Sequence, residues 1–372
     1  MRAVVDGLHH VGLVVPDLGA AIETYRRLGF TVAPPVCPAL PPAPGAPPRP
    51  IGAANSHVYL DRSFVELVTV VDDHHPLPDD AEARPIEVPD DRLPALLAAA
   101  RAAAAGLTAW LGRGPGLRIL MLGAPDVHAA AARLDAAGIG HGGVHPIQRR
   151  IPGGMATSHF LELDNGDRAV ADPGAGDHGD DRGDGERTTR GGSGRGGSAP
   201  SGHSASDPGG DRGGDRGDGA EGRIGIAESI AAGEHPVGHP NGATALTGCT
   251  LRVPRDAFPG VVSRYERLVG RPAERADGVA RLRAGDATVT LLLGHSLMFS
   301  AVTVAVHDLR HTARHLAAAH VPHTAPRPGE IVVPAAAALG AAIVFREPEA
   351  RTHPDPAASE ARPAHDSLRR AG

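Results

Sequence analysis

The chain has 372 residues, of which 41% are hydrophobic and 22% charged, and its formal net charge is −6. This length suits about two domains of ordinary size. The weak negative charge argues against a nucleic-acid partner, because phosphate-binding faces are usually basic. With Cys37 and Cys249 as its only cysteines, the chain has too few for a disulfide scaffold or a four-cysteine zinc site.

No apolar run approaches the ~18–20 residues of a membrane span, and the first residues do not resemble a secretory signal. We therefore expect a cytoplasmic protein with no membrane partner, either a monomer or a homodimer.

Three stretches stand apart in composition. Residues 34–50 are rich in proline, which predicts an extended loop that forms neither helix nor strand. Residues 172–222 contain no Val, Ile, Leu, Met, Phe, Tyr or Trp. Such a segment buries too little apolar surface to offset its ordering entropy, so we predict a disordered Gly/Asp/Arg-rich linker. The polar stretch 348–372 is predicted to be a flexible tail.

The rest of the chain contains a fourfold repeat, in segments 8–28, 117–134, 246–268 and 299–316. Each segment has an apolar strand, an aspartate near a turn and an amphipathic helix, and short strands follow. The aspartates are placed to cap the helices and are Asp17, Asp126, Asp256 and Asp308. The repeat predicts an α+β fold of four βαβββ-type modules, with an apolar helix near residues 90–105 joining the first two.

The first repeat, LHHVGLVVPDLGAAIETYRRLGFTV, with GAANSHVYL and SFVELV downstream, resembles the glyoxalase-like branch of the vicinal oxygen chelate superfamily. The segment HPNGATALTG at 239–248 is similar as well. The resemblance implies two pairs of modules, each pair forming a cleft. The first pair would comprise residues 1–171 plus 223–240, with the linker as an insertion. The second, degenerate pair would comprise residues 241–347.

Strand alternation predicts which side chains face the first cleft. Val11 and its alternating neighbours suit the helix side, which leaves His10 and Gly12 facing the cleft. In the strand SFVELVTV, Phe64 and Glu66 face the cleft by the same argument. A buried carboxylate is costly unless it is paired or bound to a metal. The resemblance implies that His10 and Glu66 are metal ligands.

The second module is less complete, since Ile119 occupies the position that matches His10. We match Glu228, in RIGIAESI, to Glu66, on the assumption that the linker interrupts this module before its last strand. Glu162, in SHFLELD, competes for this role. The predicted metal ligands are therefore His10, Glu66 and Glu228, for a divalent ion such as Zn, Ni, Mn, Co or Fe.

Other candidate residues concern the substrate and the second pair. Asn55 either caps a turn or contacts a substrate, and Phe64 and His159 are further candidate substrate contacts. In the second pair, the four positions that match the ligand positions carry Gly248, Thr290, Ala301 and Val344. None of these side chains is a usual metal ligand, so we expect this pair to be structural.

Two functions follow from these residues. The first is a metal-dependent lyase or isomerase acting on a small molecule with vicinal oxygens, with Glu228 or Glu66 as the catalytic base. Dioxygenase chemistry fits less well, because it favours two histidines and one carboxylate. The alternative is a metal-free protein of the same fold that binds and sequesters a small molecule.

Overall fold

A computed structural model describes residues 5–72, 74–75, 77–151, 154–164, 222–233 and 238–348. The segment predicted to be disordered, 172–222, and the predicted tail, 348–372, lie outside these ranges except for Gly222 and Pro348.

The first half of the chain forms one ten-stranded sheet with the order β3-β2-β4-β5-β1-β7-β10-β9-β8, and β6 pairs with β2. Its strands are β1 (Gly7–Val14), β2 (Val36–Leu40), β3 (Arg49–Pro50), β4 (Ala53–Leu60), β5 (Ser63–Val70), β6 (Glu82–Pro85), β7 (Gly116–Ala124), β8 (His145–Ile151), β9 (Gly154–Glu162) and β10 (Arg223–Glu228). Its helices are α1 (Leu18–Arg27), α2 (Leu93–Leu111) and α3 (Val127–Ala136).

Two modules meet in this sheet in a repeated arrangement. β1 runs parallel to β5 within the first module, and β7 runs parallel to β10 within the second. β1 and β7 join the two modules as antiparallel neighbours. The chain returns after the long insertion as β10, so the last strand of the second module follows the insertion, as the sequence predicts.

The second half forms a seven-stranded sheet with the order β12-β13-β14-β11-β15-β17-β16. Its strands are β11 (Ala243–Pro254), β12 (Glu274–Ala276), β13 (Val279–Ala284), β14 (Ala287–Gly294), β15 (Met298–Val306), β16 (Glu330–Val333) and β17 (Ala342–Arg346). Its helices are α4 (Phe258–Val269), α5 (Leu309–Ala318) and a 3₁₀ turn (Ala335–Ala337). β11 is parallel to β14 and β15 to β17, so the same module pattern recurs and the predicted α+β architecture is confirmed.

Three of the four repeat helices begin as predicted. The carboxylates of Asp17, Asp126 and Asp308 accept hydrogen bonds from backbone N–H groups in the first turns of α1, α3 and α5. The prediction for Asp256 is wrong, because α4 begins one residue later, after Ala257, without a side-chain cap. α4 carries a proline in its first turn, where a missing N–H leaves no intrahelical bond unmade.

The proline-rich segment is more ordered than predicted. β2 and β3 lie within it and pair with each other at the end of the sheet, so the prediction that it forms no strand is wrong. Pro50 is tolerated on β3 because this strand lies at the edge of the sheet, where some N–H positions are unpaired. Cys37, on β2, is buried.

Helix α2 connects the first two modules and lies across the open face of their sheet. Its apolar residues pack on that sheet, among them Leu107 and Trp110. The prediction that no apolar run approaches the length of a membrane span does not hold for α2. The helix has 19 residues and a mean hydropathy of 1.3, so it is long and apolar enough to cross a membrane by length and composition alone. Of the apolar stretch with this hydropathy, 22% is buried inside the protein.

The two halves share one apolar core and a buried polar link. Phe30 and Phe345 stack across the junction with ring centroids 6.0 Å apart. His239 bridges two backbone groups of the first module: its Nδ1 accepts from the Thr31 N–H at 3.0 Å, and its Nε2 donates to the Tyr59 carbonyl at 2.9 Å. This bonding pattern requires the neutral imidazole.

The His239 link predicts a loss of stability in acid. Burial lowers the pKa of His239 below its ordinary value of 6.5, so protonation favours the unfolded chain. The link is fully effective above pH 6.5 and weakens as the pH falls below that value. We expect the thermal midpoint to fall more steeply between about pH 7.5 and pH 5 for the wild type than for His239→Gln.

Because both proteins retain every other histidine, the difference in slope isolates His239. Equal slopes for the two proteins would contradict the prediction.

Candidate functional site

The candidate site lies on the face of the first sheet that α1 and α3 do not cover. Val11 and Leu13 of β1 belong to the main apolar core, whereas Val14 belongs to a smaller cluster on the opposite face, with Val68 and Ile119. Strand alternation places His10, Gly12 and Glu66 on that opposite face, as predicted.

An aromatic wall lines one end of this cleft. The ring of His10 stacks on Phe64, with centroids 4.5 Å apart and planes 10° from parallel. His57 contacts Phe64 edge-on at 4.9 Å and stacks on Tyr59 at 5.4 Å. Phe64, the predicted substrate contact, is thus joined in this wall by Tyr59.

His10 is held in its neutral form. Its Nδ1 lies 2.8 Å from Nδ1 of His9. Burial lowers the pKa of His10 well below 6.5, and the nearby His9, His57 and Arg223 lower it further. A neutral imidazole can accept a hydrogen bond or a metal ion through its unprotonated nitrogen.

Glu66 and Asn55 form the polar floor of the same cleft. The Asn55 side-chain amide donates to Glu66 Oε1 at 2.9 Å, so Asn55 contacts the candidate site rather than capping a turn. Burial raises the pKa of the Glu66 carboxyl, although the Asn55 hydrogen bond and the charge of Arg223 oppose this shift. Gly12 leaves room for two neighbouring side chains, since a Cβ there would lie 2.8 Å from Ile119 Cδ1 and 3.1 Å from Glu66 Oε2.

Strand register identifies the matching positions in the second module. Gly12 pairs with Glu66 across β1 and β5, and Met121 pairs with Gly225 across β7 and β10. Gly225, not Glu228, therefore corresponds to Glu66. A Cβ at Gly225 would lie 2.6 Å from Met121 Cε and 2.4 Å from the Leu161 carbonyl oxygen. The methionine side chain thus occupies the space of the absent ligand.

Glu228 and His159 lie on the opposite face, which is a correction to their predicted roles. Glu228 Oε2 accepts from the His159 N–H at 3.1 Å and lies 3.4 Å from its Nδ1. The His159 ring contacts His128 of α3 at 5.1 Å. Glu228 shares its strand face with Ile224 and Ile226, which belong to the helix-covered core. It is therefore not positioned to share a metal ion with His10 and Glu66.

Arg223 and Trp110 belong to the cleft and were missed in the sequence. Arg223 lies over the Trp110 ring, 5.8 Å from its centroid. Its Nε lies 3.5 Å from Oε2 of Glu162, the residue that competed with Glu228. Every basic residue of the chain other than histidine is an arginine, so residue type does not single out Arg223, yet it alternates with Gly225 on the cleft face. That alternation was the available signal.

Helix α2 fills the other end of the cleft. Leu107 and Trp110 pack there against residues of β1, β5, β7 and β10, namely Val14, Val68, Val70, Ile119, Met121 and Ala227. The Trp110 Nε1 is buried and has no hydrogen-bond partner among the described residues. A cavity of about 170 Å³ adjoins the aromatic wall at His57 and Tyr59. His10, Asn55 and Glu66, at the end that α2 does not fill, are partly exposed, and so is Arg223 beside Trp110.

The donor set does not fit a divalent ion held by the protein alone. Catalytic zinc sites usually have three protein ligands, and this cleft brings together only His10 and Glu66 of the predicted three. Within the described ranges, no group of three or more His, Cys, Asp or Glu side chains is arranged to hold a metal.

In the second pair, the register supports the predicted matches. Gly248, Thr250 and Thr290 correspond to His10, Gly12 and Glu66, because Thr250 pairs with Thr290. Thr303 likewise pairs with Val344. The ligand positions of this pair therefore carry no metal-binding side chain.

The paired modules, with their parallel first and last strands, define a protein of the vicinal oxygen chelate fold. Residues 8–175 match the family model described as a glyoxalase-like domain. The match covers most of the first pair of modules and less than half of the chain, and it agrees with the resemblance of the first repeat. No curated protein gives a significant match.

Several solved structures are similar to the chain as a whole. A hypothetical protein from Staphylococcus aureus is 10% identical, with 92% of this chain and 99% of that one covered and a TM-score of 0.48. The Mn(II)-bound glyoxalase from Novosphingobium aromaticivorans is 12% identical, with coverages of 93% and 83% and a TM-score of 0.48. A mutant 4-hydroxymandelate synthase from Streptomyces coelicolor is 12% identical, with coverages of 94% and 94% and a TM-score of 0.50. At this identity the likeness concerns the fold alone.

The packing of Met121 on Gly225 predicts that one methyl group added at position 225 lowers the stability of the protein. We expect Gly225→Ala to lower the free energy of unfolding by about 1–3 kcal/mol, because the new Cβ overpacks against a side chain and a backbone carbonyl. Chemical denaturation measures the change.

Gly106→Ala is the matched control. Gly106 lies within α2 and has open space around it, so the same substitution should stabilise by about 0.5–1 kcal/mol. If Gly225→Ala is as stable as the wild type, the described packing is wrong.

Proposed function

We propose that the first pair of modules binds a small molecule with vicinal oxygens at the open end of its cleft, without a metal ion held by the protein. The hydrogen-bonded pair of Asn55 and Glu66, beside a stacked aromatic wall, is the observation that carries this proposal. Ligand pockets typically combine apolar walls with a few convergent polar groups.

The polar floor suits two adjacent oxygens. Asn55 orients Glu66 Oε1, and the second oxygen, Oε2, lies beside Gly12 of β1. A carboxylate has acceptor sites on both oxygens and can accept from two neighbouring hydroxyl groups. A protonated carboxyl can instead donate to a carbonyl.

The aromatic wall suits the rest of the ligand. Phe64 presents a ring between His10 and His57, and Tyr59 extends the wall toward the adjoining cavity. Rings of this kind favour an apolar or aromatic group, because aromatic side chains bury a large apolar area with few rotatable bonds. The ligand is therefore a small molecule with vicinal oxygens and an apolar substituent.

A metal-dependent lyase or isomerase is the second candidate function. It is favoured by the neutral His10 and the carboxyl of Glu66, which are ligand-type groups facing one cleft. A bound ion would polarise a substrate oxygen. Of the predicted acids and bases, Glu66 lies in this cleft and Glu228 does not. For either candidate function, we also propose a cytoplasmic location and a monomeric or homodimeric state.

The test uses the full chain after dialysis against EDTA, with residual metal measured by plasma mass spectrometry. The probe is 3-phenyl-1,2-propanediol. Calorimetry measures its affinity with and without added Zn, Ni, Mn, Co or Fe(II). We expect binding without metal, and Glu66→Gln should weaken it about tenfold, because the amide replaces one acceptor oxygen by a donor.

Glu228→Gln is the matched control, since it makes the same chemical change on the opposite face of the sheet, and it should bind like the wild type. Binding that requires added metal, at about one ion per chain, would favour the metal-dependent enzyme. Equal affinities for the two glutamate variants would reject this cleft as the site.

A further inference from the structure

Arg223 offers an anion-binding group that the proposed function does not use. It is the first residue of β10 and pairs with Ile119 of β7. Its neighbours Ile224 and Ile226 face the helix-covered core, whereas Ala227 belongs to the cleft cluster with Trp110. Alternation therefore points Arg223 into the cleft, as its position over the Trp110 ring shows.

The guanidinium of Arg223 is partly exposed in the cleft. Its central carbon lies 5.8 Å from the Trp110 ring centroid, and Glu162 approaches Nε at 3.5 Å. The Arg223 side chain is 38% exposed, so part of the guanidinium is open to a ligand. The guanidinium is planar, and its N–H donors match the two oxygens of a carboxylate.

Arg223 lies within electrostatic reach of the polar floor. Arg223 pairs with Ile119, Ile119 pairs with Gly12, and Gly12 pairs with Glu66. Arg223 and Glu66 therefore lie in one row on the cleft face of the sheet, three strand spacings or about 14 Å apart at the backbone. A ligand that contacts Glu66 through one oxygen can therefore present a neighbouring carboxylate to Arg223.

We propose that Arg223 binds the carboxylate of the ligand, so that the site takes a 2-hydroxy or 2-oxo acid with an apolar substituent. This inference rests on the proposed function. The carboxylate lies toward Arg223, the adjacent hydroxyl or oxo oxygen lies toward Asn55 and Glu66, and the substituent lies along the wall of Phe64 and Tyr59. Glu162 opposes the charge of Arg223 and limits the affinity for a second anion.

The chain provides its own reporter for this site. Trp110 is the only tryptophan in the sequence, and it lies directly beneath Arg223. Excitation of this residue therefore reports on the cleft and on no other part of the molecule.

The experiment titrates EDTA-dialysed protein with 3-phenyllactate and with its methyl ester, following Trp110 fluorescence and confirming affinities by calorimetry. The ester keeps the shape and the adjacent oxygens but has no charge. We expect the wild type to bind the acid at least about tenfold more tightly than the ester, because hydrogen bonds between charged partners are about twice as strong as neutral ones.

The variants assign the preference to one residue. In Arg223→Gln, the acid should bind no more tightly than the ester, while the affinity for the ester stays within about twofold of the wild type. Arg223→Lys should give an intermediate preference, because it keeps the charge but loses the planar pair of donors. In Glu162→Gln, the matched control, the preference should be retained or increased.

The outcomes separate this inference from the proposed function. If the ester and 3-phenyl-1,2-propanediol bind but the acid has no advantage, or if Arg223→Gln keeps the preference, the assignment of Arg223 is wrong and the proposed function stands. If none of the three probes binds, the proposed function is wrong, and this inference with it.

Discussion

The parallel pairing of the first and last strands in each module is the constraint on which the site depends. Once Gly12 is opposite Glu66, alternation fixes which side chains of β1 and β5 face the cleft. The same rule, applied to β7 and β10, places Gly225 opposite Met121 and turns Glu228 toward the helices. A shift by an odd number of residues changes the face of every side chain in a strand, so this register decides the chemistry of the cleft.

In the second module, packed apolar side chains occupy the positions that carry polar candidate ligands in the first module. Ile119 and Met121 lie in an apolar cluster with Trp110, and Met121 covers Gly225. Helix α2 buries Trp110 on this surface. The other end of the cleft keeps Asn55 and Glu66, whose partly buried hydrogen bond reduces the cost of desolvating the carboxyl.

The second pair of modules contributes to the stability of the first. Its four ligand positions carry small, hydroxyl or apolar side chains. Phe345 of this pair stacks on Phe30, and His239, in the segment that leads into β11, bonds to the backbone of the first module. A buried, neutral histidine that satisfies two backbone groups specifies one arrangement of the two halves, because any other arrangement leaves those groups unpaired.

The sequence by itself determined the features that depend on local periodicity. The fourfold repeat, the caps at Asp17 and Asp126, the insertion before β10 and the cleft-facing positions of His10 and Glu66 all follow from patterns within single segments. Only the tertiary structure decided how β10 aligns with β7, where α2 lies and which arginine enters the cleft. The physical reason is that strand register is set by pairing between segments that the insertion separates, so Glu228 and Gly225 could not be distinguished from spacing along the chain.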